Sequence, residues 1–116
     1  MQPFVHLHVH TQFSVLDGQA SVTALVDKAI ADGMPGLAIT DHGNMFGIKE
    51  FFNYVNKINS KRKDKGEEPF KPIFGCEMYV ANESLLTHTD KKDTGRHLVV
   101  LAKNEKIGRA SCRERV

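Results

Sequence analysis

The residues best suited to chemistry stand at the start of the chain, where His6, His8 and His10 alternate with Val5, Leu7 and Val9 in FVHLHVHTQFSVLDG. An extended strand turns successive side chains to opposite faces, so the three imidazoles would share one face and the three aliphatic side chains the other. Three polar rings are costly to bury unless each gains a hydrogen bond or a cation, and neutral imidazole is the commonest metal ligand. A lone histidine is usually a hydrogen-bonded or exposed side chain; here the clustering points to ligation. Further ligand types follow: Asp17 in the turn after this run, Asp41 and His42 after an apolar segment, Glu77 within another, and His97 at the head of a third. In parallel α/β folds the functional side chains gather beyond the carboxyl ends of strands. Imidazoles mixed with carboxylates suit zinc, manganese or iron, and more than four such groups suggest more than one ion. Ions held close together are a device for hydrolysing phosphate esters.

Positioning these groups requires strands and helices in alternation. The first strand is predicted over Phe4 to His10, with a polar turn from Thr11 to Gln19 marked by Asp17-Gly18. A helix follows, with Ser21 as N-cap, Val22, Leu25, Val26, Ala29 and Ile30 at helical spacing, and Gly33 as its left-handed terminator. Gly36 to Thr40 reads as a short buried parallel strand running into the loop Asp41-His42-Gly43-Asn44. A second helix is predicted from Met45 or Phe46 to about Ser60, with Ile48, Phe51, Phe52, Val55 and Ile58 as its core stripe. Lys61 to Pro69 mixes both charge signs and reads as a solvated connection. A third strand spans Pro72 to Ala81, bent at Gly75, and a fourth spans His97 to Ala102, with Glu83 to Gly95 an exposed loop between them. Strands alternating with helical segments predict βαβ units and a mainly parallel sheet.

The chain has 116 residues, 41% hydrophobic and 26% charged, which describes at most one ordinary globular domain, short for a closed parallel barrel. No apolar run reaches the length of a membrane span and no export signal precedes Phe4, so no membrane partner and a cytoplasmic location are expected. Two cysteines, Cys76 and Cys112, make no disulfide framework. The formal charge of +2 comes from the last ten residues, IGRASCRERV, which hold three arginines and one glutamate. Without them the 16 basic and 14 acidic residues become 13 and 13, so charge alone predicts no DNA binding by the body of the domain.

Four motifs in order, HLHVHTQFSVLDG, TDHGNMFG, GCEMYVA and RHLVVLAKNE, make the chain similar to the polymerase and histidinol phosphatase (PHP) family. DHGNMFG and HLVVLAKN resemble most the branch found at the start of the alpha subunits of bacterial DNA polymerase III. The resemblance covers Met1 to about Lys106. It implies an α/β fold, part of a PHP-type distorted (β/α) barrel comprising about the first four strands and their helices. It also implies metal ligation by His8, His10, Asp17, His42, Glu77 and His97, with Glu77 shared between ions of zinc or manganese. Asp41 would orient its neighbour or the loop, since ligating imidazoles need a hydrogen-bond acceptor behind them. His6 falls outside the ligand pair and is given a structural or supporting role. His88, near Asp90, reads as exposed, and Cys76 as a small buried hydrophobe on the face opposite Glu77.

The parent protein implied by this resemblance is a DNA-directed DNA polymerase. It would act on DNA and dNTPs with magnesium at a separate site, alongside a proofreading exonuclease subunit and a sliding clamp. Its PHP domain would trim 3' ends as a metal-dependent phosphoesterase or serve as a metal-free docking module. The alternative within the family is a stand-alone phosphoesterase such as a histidinol phosphatase. Further ligands and the polymerase palm would lie on later segments that these residues do not include, so the fragment alone is expected to be inactive. An open set of four parallel strands would also leave an edge uncovered, so poor folding in isolation is expected. From Ile107 to Val116 the family pattern breaks. The segment has no apolar period and looks like a sequencing adaptor read as protein, so 1–106 is taken as the native part.

Overall fold

A computed structural model describes residues 3–81 and 95–104. Its elements run α1 (Val22–Ala31), β1 (Gly36–Ile39), α2 (Ile48–Asp64), β2 (Lys71–Val80) and β3 (Arg96–Leu101). Ser21 caps α1 by accepting the Ala24 N–H at 3.2 Å, and Gly33 takes a φ of 78° after its end. Helix α2 starts at Ile48, later than predicted, and runs through Lys61, Arg62 and Lys63. Those three residues are good helix formers whose charges oppose the negative end of the helix dipole, so the segment expected as a connection is helical as far as Asp64.

Among the described residues there are three strands in the order β1-β2-β3, not four. β1 pairs in parallel with Lys71–Phe74, and β3 pairs antiparallel with Gly75–Val80, which corrects the expected mainly parallel sheet. Gly75 is where β2 changes partner. A Cβ there would lie 2.6 Å from the Val100 carbonyl oxygen and 2.8 Å from Thr40 Cγ2, so only glycine lets both neighbours approach.

The segment expected as the first strand lies beside β1 without forming a ladder. Ala38 N–H donates to the His6 carbonyl and Thr40 N–H to the Val9 carbonyl, so an advance of three residues on one side meets two on the other. That extra residue, at the bend over Leu7 and His8, works as a bulge would. Thr40 Oγ1 then accepts the Val9 N–H in place of a backbone carbonyl. A one-residue offset reverses which face each side chain takes, and so His6 parts company with His8 and His10 despite the alternation.

The core lies between the helices and β1, where Val22, Val26 and Ala29 meet Leu37, Ile39, Phe51, Val55 and Phe70. Asn59 fixes the return from α2 by donating to the Phe70 carbonyl and accepting its N–H, at 2.8 and 2.7 Å. Tyr54 donates to Asp27, which ties α2 to α1. Of the predicted stripe on α2, Phe51 and Val55 are buried while Phe52 is 47% exposed, on the flank against Phe74. Phe51→Ala is therefore expected to cost about 3–5 kcal/mol and Phe52→Ala no more than about 1 kcal/mol, measured by denaturant unfolding.

Candidate metal centre

Glu77 sits in the middle of the sheet, with His42 bridged to it on one side and Val99 opposite it on the other. The Glu77 N–H donates to the Asp41 carbonyl, and the Glu77 carbonyl accepts the Gly43 N–H, both at 2.9 Å. Its side chain is buried, and four imidazoles surround the carboxylate. Oε2 lies 2.8 Å from His8 Nε2, 2.5 Å from His10 Nε2 and 3.6 Å from His42 Nδ1, and Oε1 lies 2.6 Å from His97 Nδ1. His97 reaches Glu77 diagonally across the antiparallel pair, since its direct partner is Tyr79. Burial pushes the Glu77 carboxyl up, the largest single influence. The hydrogen bonds from His8, His97 and His10 and the charge of His42 together outweigh it and hold the group at about 2.

Asp17 joins from the loop after His10, its Oδ2 2.6 Å from His42 Nε2. That loop is closed by Gln12 N–H donating to the Ala20 carbonyl. Gly18 is required at its end, because a Cβ would fall 2.1 Å from the Thr11 carbonyl oxygen. Leu16, one residue before Asp17, has a φ of 79°, a left-handed conformation that costs a residue with a side chain on the order of 1 kcal/mol.

The six side chains named as ligands thus come together. They form three overlapping groups, His8-His10-Glu77, His10-Asp17-His42 and His42-Glu77-His97, whose ligand atoms within each group all lie within 4.8 Å of one another. This mixture of imidazoles and carboxylates fits zinc or manganese. Among the described residues, His42 Nδ1 is a buried side-chain polar atom with no hydrogen-bond partner, and it faces Glu77. A cation would satisfy it. His8 and His97 are 56% and 48% exposed, so the cluster opens to solvent on their side.

The supporting residues sort differently. Asp41 is buried, and its oxygens accept the Thr11 N–H at 2.7 Å, the Thr11 hydroxyl at 2.8 Å and the Ser14 hydroxyl at 2.7 Å. Of the two roles considered for it, the geometry matches the loop. His6 is exposed, edge-on to Phe4, and belongs to none of the three groups. Cys76 is buried, its Sγ 3.7 Å from the Asp41 carbonyl oxygen. His88, Asp90 and Cys112 lie outside the described residues.

Residues 6–112 match the PHP domain family. The chain belongs to that family. The match passes the compositional break at Ile107, in a stretch outside the described residues. Curated relatives named DNA polymerase III subunit alpha include one from Treponema pallidum, 46% identical over 104 residues or 88% of this chain. Another, from Chlamydia trachomatis, is 37% identical over 111 residues or 94% of the chain. The chain spans about 8% of the length of either relative.

Three residues of this PHP site were not singled out from the sequence. Thr11 and Ser14 are ordinary polar turn residues whose role depends on Asp41, 30 and 27 residues away. Tyr79 had a usable signal, because it stands two residues from Glu77 on the same strand and therefore on the same face. Its ring meets His97 edge-on at 4.8 Å and lies parallel to His42 at 6.4 Å. Gly43, at φ 59°, leaves room for it: a Cβ there would come within 2.7 Å of the Tyr79 ring. Gly43→Ala should cost about 1–2 kcal/mol in denaturant unfolding and displace Tyr79. A crystal structure of the full-length variant reads that displacement directly, and an unmoved Tyr79 ring would contradict it.

Proposed function

We propose that this chain is the N-terminal part of the catalytic subunit of a bacterial replicative DNA polymerase, and that its PHP domain holds divalent metal for phosphoester cleavage. The observation that carries the metal reading is Glu77, a buried carboxylate touched by three imidazoles and faced by the Nδ1 of a fourth, which has no hydrogen-bond partner among the described residues. Docking alone gives no physical reason for this arrangement. His8, His10, Asp17, His42, Glu77 and His97 would hold zinc or manganese. When bound, such ions supply Lewis acidity to a phosphate ester and to the water that attacks it.

The chain's own residues do the positioning. Glu77 orients three rings from two segments, and Asp17 fixes the outer nitrogen of His42. The names of the relatives support the polymerase branch over a stand-alone phosphatase. On this reading the complete protein closes the barrel with later strands and acts on DNA and dNTPs with magnesium at a separate polymerase site. It works in the cytoplasm with a proofreading subunit and a sliding clamp. Among the described residues no helix is long and apolar enough to cross a membrane. Sequencing the gene across codon 106 tests both the branch and the 107–116 tail: a frame of more than a thousand codons resuming family sequence there fits the proposal, and one of a few hundred fits the phosphatase.

Elemental analysis of the full-length protein against a His8→Ala/His10→Ala double variant should show bound zinc or manganese lost from the variant. Equal metal content in both would overturn the assignment.

A further inference from the structure

The Asp17–His42 side of the cluster depends on two loops, and a single buried serine bonds to both. Ser14 is 1% exposed. Its hydroxyl donates to Asp41 Oδ1 at 2.7 Å and accepts the backbone N–H of His42 at 3.1 Å. Its carbonyl accepts the N–H groups of Asp17 and Gly18 at 3.0 and 2.9 Å, and its own N–H donates to the Thr11 carbonyl at 2.9 Å. Five hydrogen bonds from one residue thus span the loop that carries Asp17 and the loop that carries His42. None of them reaches His8 or His97, whose rings are held by Glu77.

A hydroxyl can donate to a carboxylate and accept from an amide at the same time, and no apolar replacement can do either. Without it the buried Asp41 carboxylate loses one of three donors and the His42 amide loses its acceptor. The backbone around His42 would then be free to shift relative to Asp17, while the Glu77 side keeps its contacts. Resting on the metal reading above, we infer that Ser14 is a positioning residue for the Asp17–His42 half of the centre. Its hydroxyl sets the cation affinity of the His10-Asp17-His42 group separately from that of His8-His10-Glu77.

Cobalt(II) titration of the metal-stripped full-length protein, followed by visible absorption, tests this inference. Asp17→Ala and His8→Ala define the component belonging to each side. Ser14→Ala should weaken the Asp17-dependent component by about 10–100-fold, as loss of a group supporting a ligand does, and leave the His8-dependent component within about twofold. Ser14→Thr, which keeps the hydroxyl, should restore the wild-type titration. An isotherm for Ser14→Ala equal to wild type, or equal weakening of both components, overturns the inference.

Should Ser14→Ala not fold, amide hydrogen exchange in the metal-free wild type decides. The amides of His42, Asp17 and Gly18 should be protected together, and rapid exchange at His42 beside protected Asp17 would overturn the proposal. A wild type that binds no cobalt, with those amides protected, would overturn the metal reading, which separates the two failures.

Discussion

A buried carboxylate in the middle of a sheet is tolerable only when its charge is answered, and the arrangement of this domain follows from how Glu77 is answered. Desolvation alone would push its proton on; the imidazoles hold it off. To supply them the chain must bring together the N-terminal segment, the loop after β1 and the start of β3. The sheet achieves this by changing partner at Gly75, so that Glu77 has a parallel neighbour on one side and an antiparallel neighbour on the other. A sheet that continued in parallel past β2 would lack the diagonal register that delivers His97.

Asp41 is the second buried carboxylate, and it is answered in a different way. Its donors are a backbone N–H and two hydroxyls, with no imidazole among them. Neutral donors satisfy the oxygens while adding no positive charge that would repel a cation nearby. The two carboxylates therefore divide the work: Glu77 gathers the imidazoles, and Asp41 fixes the loops that carry Asp17 and His42. A chain carrying either residue alone would be left with donors aimed at an empty position.

Both helices, the strand at β1 and the extents of β2 and β3 were legible from apolar spacing, the cap at Ser21 and the breaks at glycine and proline. These are short-range properties. The direction of β3 was not. The rule for βαβ units favoured a parallel strand, yet the stretch from Glu83 to Gly95 has no helical apolar period, and an antiparallel partner needs no crossover helix. That absence was the signal, outweighed by the alternation earlier in the chain. The end of α2 is not legible from the mixed charge run Lys61 to Pro69, because solvated charge is equally at home in a connection and on an exposed helical turn. The candidate ligands were legible as residue types. Their supports Thr11 and Ser14 were not, because a hydroxyl acquires its role only from a partner brought near by folding.

The histidine run shows most clearly where pattern and geometry diverge. Strict alternation assigns His6, His8 and His10 to one face, and only the extra residue between the hydrogen bonds at His6 and Val9 separates the first from the other two. An ideal ladder through this segment would carry His8 and His10 along one straight row with Nε2 atoms apart. The bend over Leu7 and His8 instead brings those nitrogens to 3.1 Å of each other and both onto one oxygen of Glu77. Irregular backbone at this point is therefore what makes a convergent pair out of alternate residues. The loss of ladder pairing is offset where Thr40 substitutes its hydroxyl for the missing carbonyl. The Cγ2 of the same threonine lies 2.8 Å from where a Cβ on Gly75 would stand, so the bend that converges His8 and His10 and the partner change that centres Glu77 meet at one residue.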